Sequence, residues 1–221
     1  NDIWGTDVTF GFHTAVGIGT EVVDRIHTTA SSHKRVMVIE IMGNKAGWLT
    51  LYTGVAGGAD VILIPEIPYD IKKVVKAIER RAASGRGFSI VVVAEGAFDA
   101  EEAKMKKKER AEKRAAEGIT TATARIVRQI EESSGSETRM VVPGHFIRGG
   151  EPSAYDRVLA SQFGVYGAEL FSRGIFGVTV AQQNNEIVHN RLSDVAGKTK
   201  FVPVNDQMIF TARSLGISFG D

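Results

Sequence analysis

The chain has 221 residues, enough for one large domain or two small ones. Lys and Arg total 27 against 26 Asp and Glu, and the resulting net charge of +1 gives no general reason to expect a nucleic-acid or membrane partner. The absence of cysteine excludes disulfides and thiol catalysis, and no apolar run approaches the ~20 residues of a membrane span.

Helical spacing of Phe12, Ala15, Val16, Val22, Val23 and Ile26 predicts a helix over 6–32, ended by Ser31-Ser32. Gly17 and Gly19 are poor helix formers and imply a close packing partner there. The run RVMVIEIM, 35–42, suits a buried strand, and a helix over 45–56 follows it. VILIP, 61–65, is a second buried strand. Residues 70–83 form an amphipathic helix through Ile71, Val74, Val75 and Ile78, and FSIVVVAEG, 88–96, is a third strand.

Residues 99–118 change character, with charges of both signs among strong helix formers. Mixed sign and few aromatics argue for a solvated helix or loop rather than a nucleic-acid contact through 104–114. An amphipathic helix resumes over 120–133. A short apolar strand core follows at Met140, Val141 and Val142. A helix over 153–173 faces the core with Tyr155, Val158, Leu159, Tyr166 and Leu170. Two strands over 177–192 turn at Asn184-Asn185, and a last helix covers 205–215.

Apolar runs alternating with helices imply an α/β fold, a mainly parallel sheet with helices on both faces. Ligands collect at strand ends in such sheets, and Asn44, Glu95 and Arg139 sit at or near predicted ends. The apolar core at 140–142 is bracketed by Arg139 before it and His145, Arg148 and a Gly pair after it. Arg offers a planar fork for phosphate oxygens, and glycines let backbone approach a ligand. His13, His27, His33 and His189 form no metal-ligand spacing.

The stretch ETRMVVPGHFIRGGEPSAYDR, 137–157, resembles the sugar-phosphate loop of the 6-phosphofructokinases, whose pattern is close to ETR…GHxxRGGxPxxxDR. Further blocks agree in the same order: NDIWGTDVTFGF at 1–12, SSHKR at 31–35, EIMGNKAGW at 40–48 and VVVAEG at 91–96. One block would be weak evidence; five in order across nearly the whole chain are specific.

The resemblance implies a phosphofructokinase-like fold and transfer of a phosphoryl group from ATP or pyrophosphate to the 1-hydroxyl of fructose 6-phosphate, with Mg²⁺, in the cytoplasm. It implies a fructose 6-phosphate-binding domain over 1–148, with a charged helical insertion at about 99–133. Residues 149–221 would return to a donor-binding domain and end in a helix. The donor-binding half, and the catalytic base just before Asn1, would lie upstream, so the chain is expected to be an inactive fragment by itself. Arg139, His145 and Arg148 match the clamp on the 6-phosphate and sugar, and Glu95 matches a carboxylate that accepts sugar hydroxyls. Met42, Gly43 and Asn44 match a Met-Gly-Arg turn between the sugar and the transferred phosphoryl. Asp2 matches the second carboxylate of the catalytic loop, holding the loop or the waters of Mg²⁺.

Arg35 and Arg139 match residues that reach a neighbouring subunit's sugar phosphate, which implies a homo-oligomer with shared active sites. Asn44 departs from the pattern, because an amide lacks the charge and fork of Arg. The matching effector positions, His27, Asp60, Ser84, Arg86 and Phe88, have lost most of their positive charge, which implies no nucleotide or phosphoenolpyruvate control. These departures point toward pyrophosphate as donor, and Asn44 also leaves open a non-catalytic regulatory subunit.

Overall fold

The three apolar runs form three adjacent strands of a parallel sheet. In the computed structural model, which describes all 221 residues apart from the side chain of Lys107, they are β1 (Val36–Ile41), β2 (Val61–Leu63) and β3 (Ser89–Ala94). An edge strand, β4 (Thr138–Val141), completes the order β2-β3-β1-β4, and every neighbouring pair is parallel. All of β3 is buried, so it reads as a continuous apolar run instead of an alternating one.

The helices are α1 (Phe12–His33), α2 (Trp48–Ala56), α3 (Ile71–Ala83), α4 (Lys107–Ala116), α5 (Ala122–Ser134), α6 (Ala154–Ser172), α7 (Leu192–Val195) and α8 (Gln207–Ser214). Alternate strand side chains point to opposite faces. Met37, Ile39, Ile41, Ile90 and Val92 pack with Val23 of α1, Leu51 of α2 and Ile209 of α8. Val36, Val38, Val91 and Val93 pack with Val74 and Ile78 of α3 and Ile126 and Ile130 of α5. Helices therefore cover both faces, as the alternation of elements implied. A separate antiparallel hairpin, β5 (Val178–Gln183) and β6 (Glu186–Arg191), turns at Asn184 and Asn185, both with positive φ as a tight hairpin requires. Among the described residues, no helix is long and apolar enough to cross a membrane.

The structure departs from the sequence reading in four places. The first helix starts at Phe12, not at residue 6. Residues 6 and 7 are held on the hairpin instead, with the Asp7 N–H donating to the Gln182 carbonyl at 2.7 Å, and Gly11 turns the chain at φ 88. Gly19 has the expected close partner, since a Cβ there would meet the Thr53 side chain at 2.8 Å, but Gly17 has open space around it. On α6, Leu159 and Leu170 are buried while Tyr155 and Val158 are exposed, because only one stripe of that helix packs on α1 and the hairpin. Met140 and Val142 are also exposed, because β4 is the sheet edge.

The charged run is not wholly solvated. α4 is mostly exposed, but its Arg114 donates from Nε to Glu102 Oε1 at 2.7 Å, and Glu102 is 0% exposed. Arg125 of α5 donates to Asp99 Oδ2 at 2.9 Å and to Glu117 Oε2 at 2.8 Å. Gln129 links the same Asp99 oxygen to the Tyr69 hydroxyl. This polar network, together with buried Ile119 and Ala122, ties residues 99–125 to the rest of the fold.

Candidate functional site

β1 and β3 end level with each other, Ile41 opposite Ala94, so the segments after them emerge at one edge of the sheet. Glu95 follows β3 and holds the turn that follows β1: its Oε1 accepts the N–H of Gly43 at 3.0 Å and of Asn44 at 2.6 Å. Asn44 sits at φ 55, a left-handed conformation that Asn tolerates better than most residues. Gly96 is required beside it, because a Cβ there would lie 2.2 Å from the Asn44 carbonyl oxygen. Glu95, an exposed residue, thus acts as a cap on backbone N–H groups.

Met42 and Gly43 line a cleft of about 770 Å³ together with Asp2, Arg148 and the start of α1 and α6. Arg148 closes the 3₁₀ turn Gly144–Arg148, which is anchored by the fully buried Ile147. Its Nε lies 3.1 Å from the Met42 sulfur, a weak acceptor that gives the guanidinium up at little cost. His145 is exposed on the same turn. Asp2 is placed by its main chain, whose carbonyl accepts the Lys200 N–H at 2.9 Å. The Lys200 ammonium in turn donates to the carbonyls of Thr6 and Asp7, and burial pulls its pKa below the usual lysine value. The cleft thus offers the Arg148 guanidinium, held among the described residues only by a sulfur, the Asp2 carboxylate and open glycine backbone, with Arg157 and Asp156 also lining it but bonded within the protein, a set suited to an anionic, hydroxyl-bearing ligand.

Five of the residues read from sequence do not line this cleft: Arg35, Asn44, Glu95, Arg139 and His145. Asn44 and Glu95 line a second cleft, on the far side of the turn from Met42 and Gly43, while His145 is exposed on the Arg148 turn. Arg35 and Arg139 lie near the starts of β1 and β4, at the opposite edge of the sheet. Seven residues of strand separate Arg35 from Met42, roughly 20 Å at ~3.3 Å per residue. Both arginines share Glu137, at 2.8 Å and 2.5 Å, and the Arg35 guanidinium foremost holds that carboxyl below its ordinary pKa. Arg139 therefore belongs to the wrong strand end for the expectation that grouped it with Asn44 and Glu95. Strand direction alone explains this, because parallel order was not legible for the last strand.

Asp156 lines the cleft and was not singled out from the sequence, although it stands in the motif at 137–157. It is 2% exposed, and its Oδ2 accepts from the Thr14 N–H at 2.7 Å, the Thr14 hydroxyl at 2.5 Å and the Ser153 hydroxyl at 3.2 Å. α1 has no side-chain cap of its own at Gly11, so Asp156 supplies one from α6. The Ser153 side chain caps α6 in return by accepting the Asp156 N–H. The pair Ser-x-x-Asp ahead of an apolar helix is a capping signature that could have flagged it.

Burial pushes the Asp156 carboxyl up, but the Thr14 hydroxyl and the surrounding N–H donors outweigh it and hold the pKa below the usual carboxylate value. A depressed folded pKa adds stability above the unfolded value of about 3.9 and loses it as pH falls through the folded value. We expect Asp156→Ala to lower stability by about 2–3 kcal/mol, by leaving buried donors unpaired and uncapping α1. The variant should also lose part of the stability difference between pH 6 and pH 3. Chemical denaturation at both pH values measures this, and a midpoint shift worth less than about 0.5 kcal/mol at pH 6 would show that the bonds contribute nothing net.

Comparison with known proteins gives a consistent result. The family described as Phosphofructokinase matches residues 1–171. The ATP-dependent 6-phosphofructokinase of Spirochaeta thermophila is 54% identical over 221 residues, covering 100% of this chain and 60% of that protein. The ATP-dependent 6-phosphofructokinase 3 of Bacteroides thetaiotaomicron is 47% identical, again covering 100% of this chain and 60% of the relative. The chain therefore spans 60% of the length of these relatives. Among solved structures, phosphofructokinase from Saccharomyces cerevisiae aligns with a TM-score of 0.74 and 28% identity, over 97% of this chain and 26% of that one. A pyrophosphate-dependent phosphofructokinase from Nitrosospira multiformis has the same fold, with a TM-score of 0.76 at 22% identity over 100% of this chain and 58% of that one.

Proposed function

The chain belongs to the phosphofructokinase family, and from that premise we propose that it carries the sugar-phosphate part of an enzyme that phosphorylates fructose 6-phosphate. The observation that carries the reading is the convergence of Asp2, Met42, Gly43 and Arg148, from three distant parts of the sequence, on one cleft whose central turn is held by Glu95. Residues 1–148 form the sugar-phosphate domain, with the insertion at about 99–133. Residues 149–221 return toward a donor-binding part. The exposed Val158, Val165, Phe171, Phe176 and Phe210 of that return segment supply apolar surface for it to cover.

In the proposed reaction the 1-hydroxyl oxygen bonds to the donor's terminal phosphorus. The bond from phosphorus to the donor's leaving oxygen breaks, and the hydroxyl proton passes to a carboxylate base. The products are fructose 1,6-bisphosphate and ADP or phosphate. Phosphoryl transfer needs alignment and neutralised charge more than covalent chemistry. Here Arg148, with His145 on the same turn, holds the 6-phosphate, and Met42 and Gly43, whose turn Glu95 caps from its other side, orient the sugar. Among the described residues, no three His, Asp or Glu gather as a metal cage. The cleft-lining carboxylate of Asp2 still suits Mg²⁺, which keeps several waters and takes one or two carboxylates plus substrate phosphates. Asp2 would hold those waters, and the ion would neutralise charge on the donor.

The position of Arg35 and Arg139 supports a shared site. They are too far from Met42 to reach the same sugar phosphate, and a neighbouring copy of the chain would bring its own pair to this cleft. The relatives' names favour ATP over the pyrophosphate that Asn44 suggested. Glycolytic use in the cytoplasm follows from the same reading. Asn44 alone favours a regulatory, non-catalytic subunit. The test is fructose 1,6-bisphosphate formation by the full-length protein with Mg²⁺ and either ATP or pyrophosphate. Product with ATP is expected; a folded protein that binds fructose 6-phosphate but forms no product with either donor would establish the regulatory reading instead.

A further inference from the structure

The turn that follows β1 has two sides. Met42 and Gly43 line the cleft described above, whereas Asn44 and Lys45 line a second cleft of about 860 Å³, bounded by the ends of β2 and β3 and by α4. The charges of this second cleft are unevenly committed. Glu95 is engaged by the N–H groups of Gly43 and Asn44. Glu66 accepts the N–H of Gly47 at 2.9 Å and of Val202 at 3.0 Å, so both carboxylates serve backbone. Arg114 is spent on buried Glu102. Lys45 and Arg110 remain, and among the described residues neither pairs with a carboxylate.

Arg110 is not loose. Its guanidinium lies 4.2 Å from the centroid of the Phe98 ring, which fixes its plane on one wall, and Phe201 forms an apolar wall as well. Glu66 and Glu95 keep their negative charge but have oxygens turned to backbone N–H groups, so Lys45 and Arg110 are the cations of this concave space left, among the described residues, without a carboxylate partner. One is a compact ammonium and the other a planar fork, a combination that suits the oxygens of a phosphate. The charge absent at Asn44 is thereby supplied from the next residue and from the charged insertion.

We propose that this second cleft binds a phosphate group between Lys45 of the β1 turn and Arg110 of α4. The proposal stands on the geometry of the cleft and uses the sugar-kinase reading only to interpret one arm of its test. The phosphate could belong to the phosphoryl donor or to a separate phosphorylated effector. Either would touch the same 43–44 turn that Glu95 holds, so occupancy of this cleft is felt in the first one.

Inorganic phosphate is titrated into the full-length protein by calorimetry, comparing wild type, the Lys45→Ala/Arg110→Ala variant and Arg148→Ala. A phosphate isotherm in the wild type, a Kd raised at least tenfold in the double variant, and retained binding in Arg148→Ala are expected. No binding by the wild type, or equal binding by the double variant with an unchanged thermal midpoint, would overturn the proposal. Kinetics separate the two sources. A donor phosphate raises the donor KM at least tenfold in the double variant and leaves the fructose 6-phosphate KM alone. An effector phosphate leaves the donor KM alone and shifts the fructose 6-phosphate KM in the wild type only. Should the protein show no turnover with any donor, the calorimetry still decides the site independently of the proposed reaction.

Discussion

Arg148→Ala in the full-length protein is expected to lower kcat/KM for fructose 6-phosphate by about 10²–10³-fold, the size of effect seen when one preorganised donor is removed from a charged transition state. Arg148 is exposed at the cleft, and its one side-chain partner among the described residues is the Met42 sulfur. Its N–H fork is therefore available to a ligand, and the buried Ile147 beside it keeps the turn in place when the arginine is lost. Stability should change by no more than about 0.5 kcal/mol, as for a surface residue without a structural partner. Steady-state kinetics together with a melting curve check both halves. A loss below threefold would remove Arg148 from the phosphate grip, and a large drop in melting temperature would make it a structural residue.

Arg125→Met is expected to cost about 3–5 kcal/mol of stability, because removing one partner of a buried ion pair leaves the others uncompensated. Arg125 is 8% exposed and pairs with Asp99 and Glu117, while its Nε lies 3.7 Å from Glu102, which is 0% exposed. Arg114 still reaches Glu102, but nothing replaces the guanidinium at Asp99. Burial raises the Asp99 pKa, and the Glu102 N–H, Arg125 and Gln129 together pull it below the ordinary value. This interaction therefore operates above about pH 4 and fades in acid, and the variant's deficit should shrink at low pH. Denaturant unfolding at pH 7 and pH 3 measures it. A loss under about 1 kcal/mol at pH 7 would mean that the insertion is held by something other than this network. The consequence for the site is direct, since Arg114 also donates to the Ala97 carbonyl two residues after Glu95.

The fold was largely readable because its strands are continuous apolar runs and its helices carry clean caps. Asp70, Thr121, Ser153 and Asp206 each cap the helix that follows. What periodicity could not show was anything set by partners distant in sequence. Residues 6–11 lost their helix to a hydrogen bond with Gln182 and to the turn at Gly11. Tyr155 and Val158 have helical spacing yet face outward.

The candidate site was legible as a set of motifs and not as an arrangement. Met42, Gly43, Arg148 and Asp2 share a cleft, but the separation of Arg35 and Arg139 from it depends on strand direction. The Lys45–Arg110 cleft depends on where α4 folds back. Asp156 was visible as a letter in a motif, and its role needed the position of Thr14.

Hydrogen exchange of the full-length protein with and without fructose 6-phosphate tests the central claim most directly. Protection is expected in residues 42–45, 95–97 and 144–150, with little change around 107–116. Absence of protection in all three segments, in a protein that binds the sugar phosphate, would contradict the assignment of that cleft to the sugar.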